Sequence, residues 1–449
     1  MKKLLVFTVS LLILQGIQAQ EHDHHQMQMD TTKKAPATPM EHDMQHEHNM
    51  QMTHAYSLSL PMNRNASGTA WLPDNSPMYG YMLHSRTGWN FMFHGNLFLQ
   101  YNWQNLNNNY QRGGKEFQAP NWVMGMAMKQ VGQNGLFTFT GMFSLDPVVM
   151  QGNGYRLLFQ SGESWKDQPL IDRQHPHDLI SALSIAYTQR FSEDVDVTAY
   201  FGYPGEPALG APAFMHRISS ISNPNAPLGH HWQDATHITF GVGTLGIRYQ
   251  QLKVEGSIFT GREPNEARFD FDKPRFDSYS YRVSFNPSAA LALQFSQGFI
   301  KSPEAIAPEE DVTRTTASAI LSQNWNGLKY NGIIAWGLNN AGHGHREHSI
   351  TWENNVDFND KDVLYGRYEW IQKSAEELGL EEELGHDAIE PIHSLTIGYS
   401  RRLATIASTN LFLGGQATWN TTTKALEKFY GNNPLSAQVY VRITPQLMR

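Results

Sequence analysis

From residue 89 onward the chain breaks into short alternating apolar and polar runs, and the connections between these runs alternate in length. Tight connections fall at Gly132 to Gly135, Ser192 to Asp194, Gln250 to Leu252, Asn286 to Ser288, Asn326 to Leu328, Asn359 to Asp362 and Leu403 to Ile406. Longer ones cover 104–120, 146–180, 204–237, 263–277, 300–313, 339–347, 373–390 and 421–434. Turning tightly at one end and loosely at the other is what an up-and-down antiparallel sheet requires, and an even strand number lets it close. The runs number about 16, so the expected fold is all-β, a transmembrane up-and-down barrel spanning residues 89–449.

Alternation within the runs assigns the faces. Val195, Val197, Ala199 and Phe201 oppose Asp196, Thr198 and Tyr200; Leu291, Leu293 and Phe295 oppose Ala292, Gln294 and Ser296; Val439, Val441 and Ile443 oppose Gln438, Tyr440 and Arg442. Lumen charge is expected from Arg190, Arg248, Arg282, Arg367, Glu369 and Arg442, and interfacial girdles from aromatics such as Trp89, Trp103, Trp122, Tyr249, Trp325 and Trp370. Charged residues make up 17% of the chain, below the roughly 25% of ordinary soluble domains. A secreted propeller or sandwich is the plain alternative, since it too repeats short strands. The net charge of −8 speaks against nucleic acid as a partner.

Residues 1–19 read as a signal peptide, with Lys2 and Lys3 ahead of an apolar run from Leu4 to Leu14 and a small residue at Ala19. Residues 20–62 are too poor in apolar side chains to fold alone and are expected to be a disordered tail; 63–88 are a linker or periplasmic plug segment. With short turns facing the periplasm, the expected location is the outer membrane with the tail on its periplasmic side.

The tail carries His22, His24, His25, His42, His46, His48 and His54 with Met27, Met29, Met40, Met44, Met50 and Met52, and the chain has no cysteine. Thioether sulfur favours Cu(I), while imidazole suits Cu(II) and Zn(II), so a mixed tract points to copper ahead of zinc. No ion is required for the fold. The bland alternative is a polar leader whose histidines serve solubility.

A signal peptide, a leader such as Met40-Glu41-His42-Asp43-Met44 and a β-barrel together resemble outer-membrane copper-resistance proteins of the CopB type. The resemblance lies in layout, strongest over residues 1–54, and implies copper sequestration or export, with a periplasmic efflux partner. The larger barrel fits a general porin or solute channel equally well, and by analogy with 16-stranded porins such a channel is expected to form a homotrimer in outer-membrane lipid.

Two long connections carry further ligands: His175, His177 and Asp178 around Pro176 in one, His216, His230, His231 and His237 in the next. They read either as a metal or substrate site or as anchors that hold loops across the lumen through paired polar groups. His343, His345 and His348 sit on a glycine-flanked loop with less support. An enzyme is not expected; Ser181 beside His177 and Asp178 is the sole hint of a barrel hydrolase, without a nucleophile-elbow pattern. Deleting residues 21–54 is expected to lower copper binding of the purified protein under reducing and oxidising titration. Equal stoichiometry with and without them would end the tail reading.

Overall fold

The computed structural model describes residues 54–448 apart from 110, 151, 343 and 344; the expected signal peptide and the candidate tail ligands from His22 to Met52 lie outside the described residues. Sixteen antiparallel strands form one closed sheet. In chain order they are β1 Trp89–Gln104, β2 Asn121–Val131, β3 Gly135–Phe143, β4 Ile180–Arg190, β5 Val195–Gly202, β6 Val242–Tyr249, β7 Leu252–Phe259 and β8 Ser278–Ser288. The second half continues with β9 Leu291–Ile300, β10 Val312–Trp325, β11 Leu328–Gly342, β12 His345–Asp357, β13 Asp362–Ser374, β14 Ile389–Ile406, β15 Thr409–Thr421 and β16 Leu435–Pro445. Closure comes from β1 against β16, with Leu97 opposite Ile443 and Trp103 opposite Ala437.

β1 is served in two parts along each edge. Its first residues pair with a short strand, Tyr81–His84, and its last five with another, Gly114–Gln118. Most of the β1 backbone is thereby paired along both edges, which lipid favours because no water is there to satisfy a free N–H or C=O. Outward side chains such as Phe139, Ile185, Phe201, Leu245, Ile247, Phe295, Ile334 and Val439 form an exposed apolar belt, so the barrel is of the outer-membrane type.

Four details of the sequence reading are corrected. The turn expected at Leu403 to Ile406 lies at Ala407 and Ser408, both at positive φ, and the one expected at Asn286 to Ser288 lies at residues 289–290. Two-residue hairpin turns favour Gly, Asn or Asp, so an Ala-Ser turn gives no sequence signal. The long connection expected at 339–347 shrinks to residues 343–344, because β11 and β12 stay paired with each other as far as Gly342 opposite His345. Trp122 does not join a girdle; it faces the lumen, its ring 4.7 Å from that of His216.

A 16-stranded wall leaves an aqueous space that its own side chains cannot fill. Here that space is occupied. Inward residues such as Gln100, Arg282, Ser296 and Thr351 are fully buried. On the short-turn side residues 54–80 enter the lumen, starting eight residues before the expected end of the tail. Ser57 donates to Asp196 at 2.5 Å, Arg64 pairs with Asp74 and Gln251, Arg282 donates to the Thr69 hydroxyl at 2.8 Å and Asn286 to the Leu72 carbonyl at 2.9 Å.

From the long-loop side the connection 203–241 crosses the lumen. It leaves β5, is held by Ser257 and Ser296 on one wall, and reaches the far wall at β12, β13 and β16. The knot that holds it there is Arg217. Its guanidinium grips Glu353 with two nitrogens at 2.9 and 3.1 Å and Asp234 with a third at 2.8 Å, while Arg367 shares Glu353 and donates to the Asn225 carbonyl. Arg217→Met would strand two buried carboxylates, so docking of the loop is expected to weaken by about 3–5 kcal/mol. Faster proteolysis within 203–241 and a larger single-channel conductance are the expected readouts; unchanged values of both would remove this loop as the lumen's closure.

Candidate functional site

Where the connections 144–179 and 203–241 meet, five imidazoles lie against one another. Adjacent ring centroids are 6.1 Å apart for His175 and His230, 5.5 Å for His175 and His231, 5.2 Å for His230 and His231, 5.1 Å for His230 and His237, and 5.6 Å for His177 and His237. One ring nitrogen each from His175, His230 and His231 lies within 4.8 Å of the others. A metal at about 2.1 Å from each imidazole needs nitrogens about 3.4 Å apart, a closure that small ring rotations supply.

The local sequence builds this meeting point. His175 and His177 flank Pro176 just after a two-residue strand, Arg173–Gln174. His230 and His231 open a single helical turn, His230–Gln233, and His237 ends the following turn, Ala235–His237. Trp232 anchors that helix, fully buried with the Lys373 ammonium 4.5 Å above its ring. Gly337 on β11 lets it approach, since a Cβ there would stand 2.3 Å from the Trp232 carbonyl oxygen. Gly162, at φ +101°, likewise leaves room for the His231 ring.

Each imidazole has one nitrogen tied down. His175 Nδ1 is 3.0 Å from Glu163, His177 Nδ1 2.8 Å from Asp146, His230 Nδ1 2.7 Å from Asp234, His231 Nδ1 3.4 Å from Glu263, and His237 Nδ1 2.9 Å from the Asp234 carbonyl. The other nitrogen, Nε2, of His177, His230, His231 and His237 is buried without a hydrogen-bond partner. Four such nitrogens converge here, whereas the similarly unpartnered His54 Nε2 stands apart in the plug. A buried nitrogen left unpaired costs about 1–3 kcal/mol. The pattern of a carboxylate or carbonyl on one nitrogen and a free lone pair on the other is that of metal-binding histidines.

Burial favours the neutral form of His175, His230 and His237, the state in which a lone pair is available. It holds His237 down at about 3 and His175 well below the usual histidine range, and it lowers His230 even against the pull of Asp234. Burial also opposes charge on Asp234, but Arg217 and His230 outweigh it and hold that carboxyl at about 2.

Of the loop residues named from sequence, five come together and two do not. Asp178 pairs with Arg268 at 3.5 Å, and His216 sits beside His94, their rings 5.6 Å apart. His54 is buried within the plug, its Nδ1 accepting from the Tyr56 N–H at 2.9 Å. Ser181 donates to the Asp178 carbonyl at 2.8 Å rather than to an imidazole. His345 forms a more open group with His386 and Asp387 at the rim.

Sequence reasoning missed the orienting acids: Asp234 stands four residues from His230, while Asp146, Glu163 and Glu263 are brought to the histidines only by the fold. It also missed a methionine face. Met124, Met126 and Met128 alternate along β2 and all point into the lumen, joined by Met92, Met142 and Met215. The signal was present in Met124-Gly125-Met126-Ala127-Met128, where period 2 places thioethers on a face that is polar in most such barrels. Outside the imidazoles, Glu163, Glu263, Glu266 and Glu304 line a vestibule of about 360 Å³. Burial and the neighbouring Glu263, Glu377 and Glu376 push Glu304 up to about 8.

No protein-family model matches this chain, and no curated protein matches its sequence. Solved structures do. OmpF of Salmonella typhi, in complex with daunomycin, matches with a TM-score of 0.50 at 8% identity over 81% of this chain and all of that one (100%). An anion-selective porin from Comamonas acidovorans matches at a TM-score of 0.46 and 10% identity over 80% of this chain and 99% of the porin. A loop-deletion mutant of OmpT, an outer membrane protein of Vibrio cholerae, matches at 0.48 and 9% identity over 80% and 99%. The likeness to OmpF shows the fold: this chain is built as an outer-membrane β-barrel.

Proposed function

We propose that this outer-membrane barrel binds a divalent transition-metal cation of the copper, nickel or zinc kind inside its lumen, at His175, His177, His230, His231 and His237. The observation that carries the reading is the set of four buried, unpartnered Nε2 atoms on rings whose other nitrogen is already fixed. An all-imidazole set suits these metals, whereas calcium and magnesium prefer oxygen. Glu263 and Glu266, both held toward the carboxylate form, favour cations over anions in the vestibule outside the centre. In this proposal the Met/His tail captures copper in the periplasm, and export or resistance, with a periplasmic efflux partner, is the outcome served.

Cobalt(II), whose visible bands report imidazole coordination, tests the centre. Full-length protein in detergent is expected to hold one cobalt that His230→Gln with His231→Gln removes, the tail being identical in both. A cobalt spectrum and stoichiometry unaffected by the double substitution would falsify the centre. Asp146→Ala, which frees the His177 ring, is expected to weaken the same binding by about 10- to 100-fold.

The second reading is a general solute channel, alone or as a homotrimer, and the fold likeness to OmpF favours it. It requires the plug and the crossing loop to move aside, because the inward wall residues they cover are buried. Steady conductance in planar bilayers without added metal is what that reading expects.

A further inference from the structure

We infer that the methionine-lined cavity between plug and wall is a second metal site, selective for a soft monovalent cation of the copper(I) or silver(I) class, with Met92, Met126, Met215, His94 and His216 as its ligand set. The cavity, of about 70 Å³, is bounded by β1, β2, the plug and the turn Phe214–His216 of the crossing loop. The site extends the cation binding in the lumen proposed above, on which it rests.

Four observations carry it. The wall here faces a barrel lumen, where polar side chains are the norm, yet β1 and β2 place Met92 directly opposite Met126. The His94 Nε2 is buried and has no hydrogen-bond partner, while its ring lies 5.6 Å from that of His216. Among the described residues no carboxylate lines the cavity, and the one arginine or lysine that does, Arg217, is paired with Glu353 and Asp234. A neutral set of thioethers and imidazoles accommodates one positive charge in a low-dielectric setting better than two, and sulfur selects the soft ion. Packing alone accounts for buried methionines, but not for an open void edged by an unpaired imidazole nitrogen.

The placement also gives the site a role. Met126 and His216 line both this cavity and a smaller neighbour of about 30 Å³, and His237 of the imidazole centre lines that neighbour too. Glu163 and Glu263 in turn border both the imidazole centre and the vestibule. Ligands therefore change from thioether through imidazole to carboxylate in passing from the short-turn side to the long-loop side.

Silver(I) alone is the probe. Full-length protein in detergent is loaded with silver, washed with excess free methionine to strip rapidly exchanging ions, and the retained metal is counted. One silver per barrel is expected. Met126→Leu with Met215→Leu conserves volume and is expected to weaken retention at least tenfold, as is His94→Gln; heat-dependent gel mobility checks that each barrel is folded. His230→Gln with His231→Gln is expected to lose cobalt(II) and keep silver. Full retention in the folded methionine variant, no retained silver in the unaltered protein, or loss of silver with the His230 and His231 pair would each overturn the inference. Silver retained where cobalt never binds would instead remove the imidazole centre and leave this site standing.

Discussion

A sheet that closes on itself in lipid solves its backbone hydrogen bonding but acquires an interior whose width is set by strand number. With sixteen strands that interior is wider than wall side chains can fill, and every other feature of this protein follows from what is put there. The plug supplies backbone carbonyls and hydroxyls to the wall arginines and asparagines of one half. The crossing loop supplies a guanidinium to buried acids in the other. Both inserts bring their own polar groups, so the wall stays polar inward and apolar outward, as the alternation in β5, β9 and β16 requires.

The barrel was legible because its signals are local. Period 2 and turn residues are written within a dozen positions, so β1 to β16 were read to within a few residues at most ends. The misses were local as well: Ala407 and Ser408 adopt positive φ without a Gly, Asn or Asp to announce it, and β11 and β12 run on through residues 339–342 and 345–347 without any change of texture. The site was only half legible. His175, His177, His230, His231 and His237 could be named as ligands, but their convergence depends on two loops meeting in the lumen. The acids that orient them lie as far away as Asp146 and Glu263 and belong to no motif. Whether a histidine anchors or ligates is a matter of its second nitrogen, and that is decided by the fold.

Arg217 ties these levels together. It belongs to the loop that carries His216 and the helix of His230, and it shares Asp234 with the His230 ring. The charge that locks the loop to the wall thus also fixes which nitrogen of His230 faces the centre. Mechanical closure of the lumen and chemical definition of the site are one network.

The short strand Tyr81–His84 continues directly from the plug and pairs with the first residues of β1, beside the seam where β1 meets β16. The filling of the barrel is consequently stitched to the very edge at which the sheet closes. Cork and staves share a strand, so a change that loosens the seam also loosens what it encloses.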